Sequence, residues 1–296
     1  MSTVSYEFLK DEIAPFISGC ADSYLSSALY YLLTGRRGLK LYKNDTSALI
    51  VCTHPHVEDC LLVFPEIGKG DYQLTASVLG MLRHAPETVQ LARYTQGNLQ
   101  ALRQRLSSPG YISDIALNVT EETLMDWRFP MRILDTAVVS DMSGHRFIKI
   151  RNKVKRASQS VTFQSIEPQN GLPMMRSALK FWEGTMIARG LETDDISKFY
   201  ETLFRVYASA PHCISGLAFF EGKRPVGLSL WDRTRPDTGN LLVNLADTSI
   251  TGLSDFQLVN TCKVLRDNGI AFLNTGGSEI ETLDSFKSKY QPAQSV

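Results

Sequence analysis

The sequence predicts an α/β (α+β) protein of two domains, each a mixed sheet flanked by helices. Three observations carry this. A chain of 296 residues is long enough for about two domains of ordinary size. Short strand-type runs alternate with helical runs in both halves, which is the grammar of sheets covered by helices. The two halves repeat that grammar without repeating sequence, as two diverged copies of one fold would. A composition of 43% hydrophobic and 21% charged residues supplies apolar side chains for two cores.

In the first half, Tyr24 to Leu33 is apolar and helix-like, and Gly35 to Gly38 breaks it. Leu39 to Tyr42 and Ala48 to Cys52 are β-type runs around Lys43-Asn44-Asp45, a hairpin signal. Cys60 to Pro65 reads as a buried strand, Tyr72 to His84 as a helix, Val89 to Tyr94 as a strand and Asn98 to Leu106 as a helix. Ile115 to Val119 closes the series. A helix and break over Thr120 to Pro130 place the boundary, giving domains 1–130 and 131–296. The second half begins with a helix over Gly144 to Ser158. Helices at Leu172 to Arg189 and Asp194 to Ser209 follow, the last with Asp194 or Asp195 as N-cap. Ile214 to Phe220 and Pro225 to Trp231 are strands around the turn Glu221-Gly222-Lys223. Leu241 to Leu245 is a strand, Phe256 to Asn268 a helix, Ile270 to Asn274 a strand, and a short helix spans Glu279 to Tyr290.

Lys+Arg and Asp+Glu are 31 each, so any polyanion site must arise from local clustering of charge. The five cysteines are odd in number and never spaced CxxC, which points to buried thiols in a reducing compartment. The first residues carry acids and no apolar core, unlike a secretory signal. No apolar run approaches the roughly 18 residues of a membrane span. The expectation is a cytoplasmic protein. His54-Pro55-His56 is a polar loop rather than a metal site, because no third ligand stands near.

The helix at 144–158 holds Arg146, Lys149, Arg151, Lys153, Lys155 and Arg156, with no carboxylate between Asp141 and Glu167. Phe147, Ile150, Val154 and Ala157 form one apolar stripe. Docked by that stripe, the helix presents two basic edges, either a phosphate-binding footprint or a solvated face. Near the C-terminus a strand ends in Asn274-Thr275-Gly276-Gly277, and glycines at a strand end admit close approach of a ligand or backbone. Leu283, Phe286 and Tyr290 line one face of the helix that follows, and Lys287 and Lys289 project from it.

The pattern NTGG-x5-L-x2-FK-x2-Y-x-P, from Asn274 to Pro292, is similar to the terminal motif of the FemXAB-type peptidyltransferases. It also resembles the C-terminal domain of bacterial phosphatidylglycerol lysyltransferases. Ser143 to Asn152 resembles the small-Gly-basic helix, ending in Arg-Asn, that opens the second half of that domain. The resemblance covers about residues 125–292. It implies two tandem GNAT-like folds and no metal or bound cofactor. It also implies a transferase moving an aminoacyl group from aminoacyl-tRNA to an amine or hydroxyl of a small molecule, peptide or lipid.

Carried over by residue, Lys287 stabilises the developing oxyanion or the adjacent terminal phosphate, with its amine free to reach past the strand end, a charge worth about 100–1000-fold in rate. Phe286, Gly276 and Gly277 line the donor channel, and Arg146, Lys149, Arg151 and Lys153 hold donor phosphates. Glu279 and Asp247 are the candidate general bases. Trp182, Trp231, Asn244 and Asn274 are the candidate acceptor pocket. The sequence departs from the acetyl-CoA pattern, R/Q-x-x-G-x-G/A before a helix: residues 247–256 read DTSITGLSDF. Because the chain lacks the membrane-embedded half of the lipid lysyltransferases, a soluble acceptor is favoured. Rival readings are an acyl-CoA or acyl-carrier-protein N-acyltransferase and a catalytically silent binding protein of the same fold.

Overall fold

The structure, a computed structural model, describes residues 4–19, 22–111, 115–120, 128–190, 194–278 and 280–295. The chain divides into two compact units, Met1–Arg128 and Phe129–Val296.

Unit 1 contains α1 (Tyr6–Ile13), α2 (Ala28–Thr34), β1 (Leu39–Lys43), β2 (Ser47–Thr53), β3 (Cys60–Val63) and β4 (Ile67–Gly68). It continues with α3 (Gln73–Leu82), β5 (Thr88–Ala92), α4 (Gln96–Leu106) and β6 (Val119–Thr120). The sheet order is β1-β2-β3-β5-β6, with β4 on β2. The hairpin forms as expected, in the register Leu39↔Cys52 to Lys43↔Ala48. Asn44 shapes its turn by accepting the backbone N–H groups of Thr46 and Ser47. β3 and β5 pair in parallel, as do β5 and β6. Strand β6 begins only at Val119, later than expected, and the expected helix over 120–130 falls largely outside the described residues. His54 is buried, and its Nδ1 accepts the backbone N–H groups of His56 and Val57, so it builds the loop. Cys52, Cys60, Cys213 and Cys262 are buried free thiols. No helix among the described residues is long and apolar enough to cross a membrane.

Unit 2 contains β7 (Arg132–Asp135), α5 (Thr136–Asp141), α6 (Ile148–Ala157), β8 (Val161–Ser165), α7 (Gly171–Ile187) and α8 (Asp194–Ser209). Then come β9 (Ser215–Glu221), β10 (Arg224–Arg233), β11 (Thr238–Ala246), α9 (Leu253–Asp267), β12 (Phe272–Asn274), α10 (Glu281–Ser288) and β13 (Gln294–Ser295). The sheet order is β13-β7-β12-β11-β10-β9-β8. Its strands are antiparallel except at one place: β11 and β12 run parallel, joined by the crossover helix α9. The stripe Phe147, Ile150, Val154 and Ala157 is buried in the same core as Phe256, Val259 and Cys262 of α9, which docks α6 beside α9. Two strands escape the periodicity of the sequence. In β8 only Val161 is buried, so no alternation marks it, and β7 is a four-residue strand held between β12 and β13.

Two glycines fix close approaches. A Cβ on Gly227 would lie 1.9 Å from Nε2 of Gln257, which donates to the Leu245 carbonyl at 2.6 Å. Gly252 has φ +86, and a Cβ there would lie 2.4 Å from the Lys153 carbonyl oxygen. That glycine lets the backbone of α6 rest against the start of α9.

Candidate active site

The parallel pairing of β11 and β12 stops after three registers, Thr238↔Phe272, Gly239↔Leu273 and Asn240↔Asn274, while β11 runs on to Ala246. The cause lies on the far side of β12. Thr275 donates its N–H and its Oγ1 to the Arg132 carbonyl, at 2.9 and 2.8 Å. Arg132 N–H donates to Gly276 O and Phe129 N–H to Ser278 O, at 3.2 and 3.1 Å. The chain after β12 therefore stays with residues 129–132 and parts from β11. Gly276, at φ +69, makes the bend, and Asn274 Oδ1 accepts its N–H at 2.9 Å. The result is a wedge between two strands that diverge at their carboxyl ends, a common ligand position in open α/β sheets.

Lys287 is buried, contrary to the expectation of a free amine. Its Nζ donates to the carbonyls of Gly276, at 3.3 Å, and Gly277. The ammonium is engaged in holding the strand end, because buried carbonyls at a bend need donors. Phe286 is half-buried against the core, with its ring 5.6 Å from that of Tyr290. Lys289 is not a free surface lysine either. It sits 3.9 Å from the Phe286 ring centroid and 2.6 Å from Asp255, and burial pulls its pKa down despite that carboxylate.

Asp255, in the first turn of α9, is the residue the sequence reading missed. It is 3% exposed, accepts the Tyr290 hydroxyl, and lies 3.8 Å from Lys153 Nζ. Burial, with the adjacent carboxylate, drives the Tyr290 phenol well above its ordinary pKa. The available signal was the acid itself, within the stretch DTSITGLSDF where the acetyl-CoA pattern would lie.

Of the basic helix, Arg146, Lys149, Lys153, Lys155 and Arg156 are exposed. Arg151 turns back to the carbonyls of Met142 and Gly144 and holds the preceding turn, so it belongs to the scaffold.

The four expected acceptor residues do not converge. Trp231 is buried in the core and Asn274 is fully buried in its bend. Asn244 lies in the diverging part of β11, half-exposed, with its Oδ1 accepting from Ser229 Oγ at 2.7 Å. Trp182 is on α7, but the residue beside it, Phe181, lines the adjoining groove. That groove, about 760 Å³, is bounded by Lys180 and Phe181 of α7, by Arg189 just beyond its end, by Pro225, and by Thr248 and Ser249 after β11. Arg224 stacks on Phe181, 5.1 Å from the ring centroid, and reaches Asp247 at 3.4 Å. Asp247 also accepts from Ser249 N–H and Oγ, at 2.9 and 2.6 Å, so its carboxylate shapes the groove wall. Glu279 lies outside the described residues.

This topology has known counterparts. A conserved protein of unknown function from Bacteroides thetaiotaomicron VPI-5482 superposes with a TM-score of 0.76 at 15% identity, covering 99% of this chain and 96% of that one. The C-terminal domain (DUF2156) of a putative lysylphosphatidylglycerol synthetase from Agrobacterium fabrum gives 0.62 at 10% identity, covering 97% and 90%. A tandem GNAT protein from the clavulanic acid biosynthesis pathway gives 0.54 at 10% identity, covering 98% and 92%. The chain has the tandem GNAT-like fold. No protein-family model and no curated protein matches the sequence. In this tandem GNAT-like chain the wedge of unit 2 thus lies between β11 and β12. The groove beside α7 adjoins the end of β11, and α6 lies beside the crossover helix α9.

Proposed function

We propose that unit 2 is an aminoacyltransferase: it takes an aminoacyl group from aminoacyl-tRNA and passes it to an amine or hydroxyl acceptor. The observation that carries this reading is the row of exposed cations on α6, with no acid among them, docked beside the crossover helix of the wedge. In a chain of zero net charge, such a face favours an extended polyanion over a single small anion. The likeness to a domain of a putative lysylphosphatidylglycerol synthetase supports it at the level of fold.

In this reading the acceptor lies in the groove beside α7, its apolar part on Phe181 and Pro225. Its nucleophile attacks the ester carbonyl of the donor. The new C–N or C–O bond forms, the ester C–O bond breaks, and the proton passes to the departing ribose oxygen through a general base. Asp247 is already held by Arg224 and Ser249, which leaves Glu279, five residues after Asn274 in sequence, as the candidate base. Backbone N–H groups along the diverging strand β11 supply the dipoles that stabilise an oxyanion, the usual source of the largest rate term. Lys287 acts as a positioning residue, fixing the opposite wall of the wedge.

The test is tRNA binding against salt, with aminoacylated and deacylated tRNA. Lys149→Glu with Arg156→Glu should lower affinity at least about tenfold and reduce the slope of log K against log salt by about one to two units. Unchanged affinity and slope would show α6 to be a solvated face and remove the basis for a tRNA donor.

A further inference from the structure

A helix N-terminus attracts phosphate because its first N–H groups lack intrahelical acceptors and the helix dipole is positive there. In a wedge between parallel strands, the crossover helix is the one placed to offer that end to a pyrophosphate. In unit 2 that helix is α9, and its beginning is covered from two sides. The backbone of α6 lies against Gly252, leaving no room for even a Cβ. From the other side come Tyr290 and Lys289, just beyond α10, both bonded to Asp255, with Phe286 under the lysine. The buried Asp255 carboxylate thus occupies the first turn as the chain's own anion and gathers Lys153, Lys289 and the Tyr290 hydroxyl.

Unit 1 makes the same choice with different residues. Its crossover helix α3 leads into β5, which pairs in parallel with β3. There Glu66, 7% exposed, accepts the Thr75 N–H at 3.0 Å and the Thr75 hydroxyl at 3.2 Å in the first turn of the helix.

We infer that Asp255 is a donor-specificity residue: with the groups it gathers, it closes the N-terminus of α9 to the pyrophosphate of a coenzyme-A-type carrier and confines phosphate binding to the outer face of α6. A pyrophosphate at this end would meet a buried carboxylate of like charge and would have to displace Tyr290 and Lys289. Lys289 is paired with Asp255 at 2.6 Å and Lys153 leans toward the same carboxylate at 3.8 Å, so the cations turned wholly outward to a polyanion are Arg146, Lys149, Lys155 and Arg156. The inference rests on the transferase reading of unit 2 for its meaning, but its binding test does not.

The full chain is titrated calorimetrically with inorganic pyrophosphate and with coenzyme A. The parent and Tyr290→Phe, which keeps the carboxylate, should bind neither. Asp255→Ser, which removes the carboxylate and frees both lysines, should gain pyrophosphate affinity by about tenfold or more. Thermal melting establishes that the serine variant is folded. If it is not, acylation of lysines in the parent decides the question: pyrophosphate and coenzyme A should leave the reactivity of Lys289 and Lys153 unchanged. Parent binding that protects Lys289, or a folded Asp255→Ser with no gain, would overturn the inference. If tRNA fails to protect Lys149 while coenzyme A is still excluded, the tRNA reading falls and the closed helix end stands.

Discussion

Lys287→Met keeps an unbranched apolar stem and removes the ammonium, so it isolates what the charge does at the strand end. In the folded chain that ammonium donates to the carbonyls of Gly276 and Gly277, in a segment where residues 273–278 are buried throughout. A hydrogen bond from a charged donor contributes about 1.5–3 kcal/mol, and a buried carbonyl left without a donor loses its solvation as well. Two bonds sharing one ammonium put the loss at about 3 kcal/mol. For a unit of this size, each kcal/mol moves the melting temperature by about 2–4 °C, so the expected fall is about 6–12 °C. Tryptophan fluorescence during heating is the assay, since Trp182 and Trp231 both lie in unit 2. Lys223→Met, in the exposed turn between β9 and β10, is the control and should move stability by less than about 0.5 kcal/mol. If Lys287→Met melts with that control, the lysine does not hold the bend, and the role of a free catalytic cation returns.

Gly252→Ala should cost about 3 kcal/mol or more, since it combines a left-handed backbone with a clash against the Lys153 carbonyl; a melt near the parent's would show that α6 can move aside. Gly227→Ala should destabilise by pushing against the Gln257 amide, and adding Gln257→Ala should recover part of the loss. Strict additivity of the two in urea titrations would refute the contact. The bidentate pair of Arg132 with Asp284, both contacts 2.9 Å, holds the Asp284 carboxyl below its ordinary pKa. A carboxylate depressed in the folded state adds stability above its unfolded pKa of about 3.9, and that share is lost as pH falls further. Melting followed from pH 7 to below pH 3 should therefore fall less steeply for Asp284→Asn than for the parent, and parallel curves would show that the pair contributes nothing.

The sequence by itself determined what depends on near neighbours. The hairpin at 39–52 follows from two β-type runs and an Asn-Asp turn whose side chain bonds its own backbone. Helix α6 follows from an apolar stripe at helical spacing, and its exposed cations follow from that stripe, because docking one face leaves the other in water. The wedge was partly legible, as a strand ending in two glycines. Only the tertiary structure decided where each side chain of the site goes. Lys287 and Lys289 are two residues apart, yet one bonds the bend that follows β12 and the other a carboxylate on α9, since packing brings a different segment to each. Trp231 and Asn274 look like pocket residues by type and are core by position. Asp255 carries only a weak local signal, an acid within DTSITGLSDF. Its meaning comes from α6, α9 and α10 meeting at one helix end, and that convergence is a property of packing in three dimensions.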